Sequence, residues 1–316
     1  MKITMVAPGV YPIPPQGYGG IELVIWNLRK ALIGEGHHVN IVNLMGGGNS
    51  IAKRWNIVRA INASCPDVVH IHASKYFNLA RFLRGANILF SDHSPGVSFE
   101  EYKYHRRAKV KGAHTLCFSE KIKEFYAAVG IGRDFLHVIP NGVAVAEFSF
   151  TEQPKYPDRS ICLGVVSKRK RQYAIADLPN IDFAGPVNEP VDFLDGAYQG
   201  EWSRQQVCRN LTEYANKVLL TEAEAHNVAC MESLASGLGL VISQNAADNL
   251  DTSLPFIDVV PDDKIHDREF VARIIAKNRA KSLPLRKEIR EYAKRNFDTE
   301  HVVKTKYLPL LLSIVL

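Results

Sequence analysis

At 316 residues, 46% hydrophobic and 23% charged, the chain is long and apolar enough to bury a sizeable core, and its length suits two domains. Its 21 glycines and 16 prolines fall without a period, which excludes collagen-like and low-complexity chains, while the apolar content excludes intrinsic disorder. A net charge of +6 suits a polyanionic partner, such as nucleic acid, an anionic membrane surface or a phosphorylated ligand, and does not choose among them.

No stretch approaches the roughly 18 consecutive apolar residues of a spanning helix. The start, Met1-Lys2-Ile3-Thr4-Met5-Val6-Ala7, meets Pro8 without the apolar core of a secretion signal and reads as a first strand, so a cytoplasmic location is expected. Cys65, Cys117, Cys162, Cys208 and Cys230 stand singly, with no CxxC pair, so they are expected to be reduced and mostly buried.

In chain order, strands are predicted at 2–7, 38–44, 68–72, 87–91, 114–118 and 136–139. Between the first two, residues 21–32 carry apolar positions at helical spacing and stop near Gly34 and Gly36. This alternation marks βαβ units around a parallel sheet. Pro140-Asn141-Gly142 is a turn signal, and the polar stretch 151–159 reads as a linker. A second series follows, with strands at 160–165, 181–184, 218–221 and 240–243 and helices at 203–213 and 228–235. The last part reads as helical over 267–276, 283–296 and 300–314. Two doubly wound domains face to face would leave a cleft at the carboxyl ends of their strands, where ligands bind in such sheets.

Four groups of residues carry candidate chemistry. Gln16-Gly17-Tyr18-Gly19-Gly20-Ile21-Glu22 follows the first strand and opens the first helix, where glycine amides and a helix N-terminus suit a phosphate. Glu22 stands where a dinucleotide fingerprint needs its third glycine, which disfavours a dehydrogenase. Glu224-Ala225-His226-Asn227-Val228-Ala229-Cys230-Met231-Glu232 runs from a strand end into a helix, and two carboxylates there suit diols of a sugar and a ribose; solvated helix charges are the plain alternative. Lys168-Arg169-Lys170-Arg171 follows another strand and suits a pyrophosphate leaving group, with a solvated basic loop or a nucleic-acid tract as rivals. His70 and His72 share a strand face and read as satisfied structural histidines, with no regularly spaced third metal ligand. His93 enters a loop, Ser94-Pro95-Gly96, at the expected cleft, where it could hydrogen-bond substrate.

Taken in order, Met5-Val6-Ala7-Pro8, Gly19-Gly20-Ile21-Glu22, Pro66-Asp67-Val68-Val69-His70-Ile71-His72, Asp92-His93 and Val138-Ile139-Pro140-Asn141-Gly142-Val143 resemble the N-terminal half of the retaining glycosyltransferases of family 4. Leu163-Gly164, Arg169-Lys170-Arg171-Gln172, Ala184-Gly185-Pro186 and the Glu-x7-Glu element from Glu224 to Glu232 continue the likeness over most of the chain. The resemblance implies the GT-B fold, two Rossmann-like doubly wound parallel-sheet domains facing across a cleft. It places the final helix back on the first domain, giving 1–150 plus 299–316 as the acceptor-side domain and 151–298 as the nucleotide-sugar domain.

It further implies transfer of a hexose, with retained configuration and no metal or other cofactor, from a UDP- or GDP-sugar to a glycan or lipid-linked acceptor. By position, Gly19 and Gly20 would lie against the donor phosphates, and Lys170 with Arg169 would neutralise them. Glu232 would hold the ribose, Glu224 would hold sugar hydroxyls alongside the amides of His226, Asn227 and Val228, and His93 would contact the sugar near the reacting centre. The departing phosphate would itself assist deprotonation of the acceptor. Val165 departs from the family's usual Arg, for which Lys168, Arg169 or Arg171 would compensate, and His226-Asn227 replaces an aromatic residue and glycine. Basic residues Lys53, Arg54, Arg59, Arg81, Arg84, Arg106, Arg107, Lys109 and Lys111 gather in the acceptor-side domain, so peripheral contact with the inner membrane face stays open beside an evenly solvated surface. Nucleic acid is not an expected partner. The competing readings are a sugar-nucleotide epimerase or hydrolase on the same scaffold, and a basic nucleic-acid-binding protein.

Overall fold

The computed structural model describes residues 1–17, 19–46, 50–93, 107, 110–188, 194 and 196–316. Tyr18, the loop Ser94-Pro95-Gly96, Arg106 and Lys109 therefore lie outside the described residues. The chain divides into two compact units: Met1–Pro15 with Gly19–Gly142 and Thr299–Leu316, and Gln16–Tyr18 with Val143–Asp298.

The first unit is built on six parallel strands, β1 (Lys2–Val6), β2 (His38–Val42), β3 (Val68–Ile71), β4 (Asn87–Ser91), β5 (His114–Cys117) and β6 (Leu136–Val138), in the order β2-β1-β3-β4-β5-β6. Ile3, Met5 and Val6 on β1 and Val68, Val69 and Ile71 on β3 are all buried, as expected of central strands covered on both faces. Helix α1 (Gly20–Gly34) buries Leu23, Val24, Ile25 and Leu32, the stripe that the sequence spacing predicts. Helix α2 (Ile51–Ser64) is capped by Ser50, whose hydroxyl accepts the Lys53 amide at 3.2 Å, and it packs Ile57, Val58 and Ile61 against Tyr76 and Phe77. Helix α3 (Glu120–Ala128) follows β5. The single helix expected over 300–314 is broken into α8 (Thr299–Val302), a π-helical turn (Val303–Tyr307) and α9 (Leu308–Val315). Among the described residues no helix is long and apolar enough to cross a membrane.

The second unit has five parallel strands, β7 (Tyr156–Leu163), β8 (Ile181–Ala184), β9 (Tyr214–Leu219), β10 (Gly239–Ser243) and β11 (Ile257–Val260), in the order β11-β10-β9-β7-β8. One face is covered by α4 (Arg204–Asn210), α5 (Val228–Ala235) and α7 (Arg286–Phe297), with Leu234, Leu240, Phe256, Ile289 and Phe297 at its core. The other face meets α6 (Arg268–Ser282) through Val218, Val241, Val271 and Ile275. Strand β7 starts four residues earlier than the expected 160, because Tyr156 pairs with Tyr214 and Arg159 joins Asp182 of β8; the polar stretch read as linker is half strand. Residues 143–150 fall in this unit rather than the first. Their backbone is pinned there, with the Val143 amide donating to Phe297 at 2.8 Å and Arg290 donating to the Phe148 carbonyl at 3.1 Å.

Both sheets reverse direction beside their first strand. In the second unit the chain runs from β7 to β8 on one side and then to β9 on the other, which makes the carboxyl ends of β7 and β9 a topological switch point. Gly164 and Gly185 close this end of the sheet at positive φ, 152° and 139°, and a Cβ on Gly185 would fall on the Gly164 carbonyl. Gly185→Ala is expected to lower the unfolding free energy by about 2–4 kcal/mol in chemical denaturation; wild-type stability would show that the backbones do not need this approach.

Candidate functional site

Two loops leave the switch point of the second unit and are stitched together. After β7, Val165 is buried and its carbonyl accepts from the Gln172 side-chain Nε2 at 2.8 Å, shaping the Lys168–Lys170 3-10 turn. After β9, the Glu222 amide donates to the Arg169 carbonyl at 2.9 Å and the Thr221 hydroxyl donates to the same oxygen at 3.3 Å. This pairing brings Lys170, only 8% exposed, onto the Glu224 carboxylate, which also receives Arg169 at 3.2 Å. Burial raises the Glu224 carboxyl, but Lys170 and then Arg169 outweigh it and hold the group below the ordinary range. Arg171 pairs instead with Glu222 at 3.3 Å and Asp262 at 3.6 Å.

Helix α5 begins at Val228 under an Asn227 cap, whose Oδ1 accepts the Cys230 amide at 2.9 Å. Beside the cap, the His226 ring lies 6.2 Å from that of Phe297. One turn on, Glu232 is 5% exposed and bound by the Arg204 guanidinium, which also lies 4.8 Å over the Phe148 ring. Two further nitrogens of Arg204, Nε and Nη2, are buried without partners. The two predicted carboxylates thus stand eight residues apart, and among the described residues Glu224 pairs with two cations and Glu232 with one. Sequence reasoning missed Arg204, whose partner is 28 residues away; the local sign was the Ser203 capping box that opens α4 on it. It also missed Lys217, wholly buried in β9, where its ammonium donates to the Leu163 carbonyl at 2.9 Å and fixes the end of β7.

In the first unit, Gly19 precedes α1 at φ 156° and Gly20 is the first helical residue, with open space where its Cβ would be. Glu22 of the first turn is buried, and its carboxylate accepts the Tyr11 amide at 3.3 Å. Burial raises its carboxyl above the usual value. An acid therefore already sits at the amide-rich loop that the sequence assigns to phosphates. His93 lies at the end of β4, with Nε2 3.1 Å from Nδ1 of His72 and its ring against Phe118. His72 is not the satisfied histidine expected, since its Nε2 is buried without a partner, while His70 is bonded at both nitrogens. Arg107, counted with the basic surface, is buried instead; its guanidinium holds Thr115 Oγ1 at 2.5 Å and the Val110 carbonyl at 2.8 Å.

Comparison with known proteins bears on part of the first unit and on the fold of the whole chain. Residues 43–147 match the model described as Glycosyltransferase Family 4. The chain has the GT-B fold, shared with the solved glycosyltransferases on which it superposes. Anabaena Alr3699/HepE in complex with UDP-glucose superposes with a TM-score of 0.77 at 13% identity, over 98% of this chain and 99% of that one. Sucrose-phosphate synthase from Thermosynechococcus elongatus gives 0.77 at 16% identity over 99% of both chains. AviGT4, a glycosyltransferase of avilamycin A biosynthesis, gives 0.74 at 20% identity over 99% of this chain and 98% of that one. No curated protein matches the chain by sequence.

The buried histidines predict an acid limit. Burial lowers His70 and His72 well below the ordinary imidazole value, takes His93 down to about 3 and, helped by His114, takes His137 to about 4. Unfolded, each titrates near about 6.5, so below that pH the unfolded chain binds protons that the folded chain refuses. Stability is therefore full above pH ~6.5 and falls on acidification, by up to about 1.4 kcal/mol per pH unit for each such ring. Denaturation midpoints measured from pH 7 to pH 5 check this; a flat profile contradicts it.

Proposed function

We propose that the chain is a retaining hexosyltransferase that moves a sugar from a UDP- or GDP-sugar to a glycan or lipid-linked acceptor, without a metal ion. The observation that carries the reading is the pair of cation–carboxylate sets at the β7/β9 switch point, Lys170 and Arg169 with Glu224, and Arg204 with Glu232. A diphosphate offers Lys170 and Arg169 a stronger partner than a single carboxylate, and diols offer the carboxylates paired hydroxyl donors. Binding then exchanges one set of charge partners for another, so that the cations meet the phosphates and the carboxylates meet the sugars. The UDP-glucose bound by Anabaena HepE supports a nucleotide-sugar donor.

In this reading Lys170 and Arg169 take up charge on the diphosphate as the bond from the anomeric carbon to its oxygen breaks. Glu232 holds the ribose. Glu224, with the backbone amides of His226, Asn227 and Val228, orients the sugar. Gly19 and Gly20 are assigned to the donor phosphates and His93 to the transferred sugar. The acceptor oxygen bonds the anomeric carbon on the face the phosphate leaves, and its proton passes to that phosphate, which preserves the configuration.

The same reading includes peripheral contact with an anionic cytoplasmic membrane face. On α2, Ile51, Trp55 and Arg59 recur every four residues and are exposed, and the Trp55 ring meets exposed Phe82 at 5.2 Å. Lys53, Arg54, Arg81 and Arg84 flank them, a pattern of aromatic anchors among cations. Co-sedimentation with phosphatidylserine vesicles should fall in the Trp55→Ser/Phe82→Ser variant; equal sedimentation of wild type on neutral vesicles would exclude the anionic preference.

A thermal-shift screen over nucleotide sugars tests the function, because a donor at about 100 times its dissociation constant stabilises by about 2.7 kcal/mol. Product analysis with and without a sugar acceptor then separates transfer from hydrolysis or epimerisation. Glu224→Ala should reduce turnover more than affinity for bare nucleotide, since its contacts are with the sugar; equal loss of both would remove that role.

A further inference from the structure

Strand β3 ends in His70-Ile71-His72, and the alternation of a strand sets both histidines on one side of the sheet, with ring centroids 3.8 Å apart. His70 is held at both nitrogens, with Nδ1 2.7 Å from the Tyr307 hydroxyl and Nε2 2.6 Å from the Ser91 hydroxyl. Tyr307 is delivered by the π-helical turn, whose wider winding marks a local departure in the returning chain. His72, by contrast, is held at one nitrogen. Its Nδ1 lies 3.1 Å from His93 Nε2, while its Nε2 is buried without a partner. These three histidines, Ser91 and Tyr307 line a cavity of about 30 Å³.

A neutral imidazole carries one N–H and one lone pair, so a bond between two neutral rings holds one proton and fixes both tautomers. Were His93 Nε2 the donor, His72 would keep its proton on Nε2, a buried N–H with no acceptor. Were His72 Nδ1 the donor, only a lone pair would be left over, and buried orphan acceptors are tolerated better than orphan donors. The second arrangement puts the His93 proton on Nδ1. We propose that His72 is a positioning residue that locks His93 in its Nδ1–H tautomer, so that His93 meets its ligand as a neutral hydrogen-bond donor to an oxygen lone pair. Burial keeps both rings uncharged through the physiological range, so tautomer rather than charge is the variable. The consequence for transfer rests on the assignment of His93 to the sugar; the lock itself does not.

Two-bond 1H–15N spectroscopy on the full chain labelled in its histidine rings reads the lock directly, with His93 assigned by the signals lost in His93→Gln. Wild-type His93 is expected as the Nδ1–H form. His72→Phe keeps the ring and loses the donor, and is expected to release His93 into exchange between tautomers. His72→Asn, whose amide N–H replaces the Nδ1 donor, is expected to restore the locked form. In a transfer assay His72→Phe should lower kcat by about 10- to 100-fold at unchanged KM, with recovery in His72→Asn. A wild-type Nε2–H form, or a tautomer unmoved in His72→Phe, overturns the proposal. If His72→Phe does not fold, the wild-type spectrum decides, and an Nε2–H form in His72→Asn overturns it equally. Full transfer activity in His93→Gln, with the wild-type tautomer locked, overturns the sugar assignment and leaves the lock standing.

Discussion

Lys170→Met is expected to lower the unfolding free energy by about 3–5 kcal/mol and to reduce turnover at saturating donor by about 100- to 1,000-fold. The two effects have separate causes. Lys170 and Glu224 are both nearly enclosed, with side chains 9% and 14% exposed, so removing the ammonium leaves a buried carboxylate whose remaining cation among the described residues is the half-exposed Arg169. That loss is structural. The loss of turnover follows from a missing positive charge where the diphosphate departs. The double variant Lys170→Met/Glu224→Gln separates them, because it removes the stranded carboxylate and should recover at least half of the stability without recovering turnover. Recovery of both would mean that Lys170 serves only the fold.

Arg204→Met should be the second large effect, at about 3–5 kcal/mol of stability, since Glu232 is the more deeply buried carboxylate and Arg204 is its ion-pair partner. Here the ligand changes the outcome. With bare nucleotide present, ribose hydroxyls can take the place of the guanidinium on Glu232, so nucleotide should stabilise Arg204→Met at least as much as wild type. Glu232→Gln should show the reverse, with modest destabilisation and nucleotide affinity weakened by about 1–3 kcal/mol. Denaturation with and without nucleotide measures both; equal nucleotide responses in the two variants would show that Glu232 is a structural acid.

Much of this arrangement is legible in the sequence where physics acts locally. Short β-branched runs such as Val68 to Ile71 and the stripe of α1 predict their elements because burial and period agree there. Strand β11, Ile-Asp-Val-Val, escapes because four residues with one acid carry too little pattern and are held by pairing with β10. The first half of β7 escapes because its residues are polar and include a proline, and a cross-strand ion pair keeps Arg159 in place. Order and spacing single out Lys170, Glu224 and Glu232. Nothing local reveals that the first two meet, since they lie 54 residues apart and are joined only when β7 and β9 pair. The same holds for His70 and Tyr307, 237 residues apart, which the π turn brings together.

Calorimetric titration of UDP- and GDP-sugars into the full chain, with chelator present, tests the central claim most directly. The account predicts binding of at least one donor in the range of about 1 μM to 1 mM, unchanged by the chelator and lost or severely weakened in both Lys170→Met and Glu232→Gln. Absence of binding by every nucleotide sugar, or wild-type affinity in both variants, would contradict it.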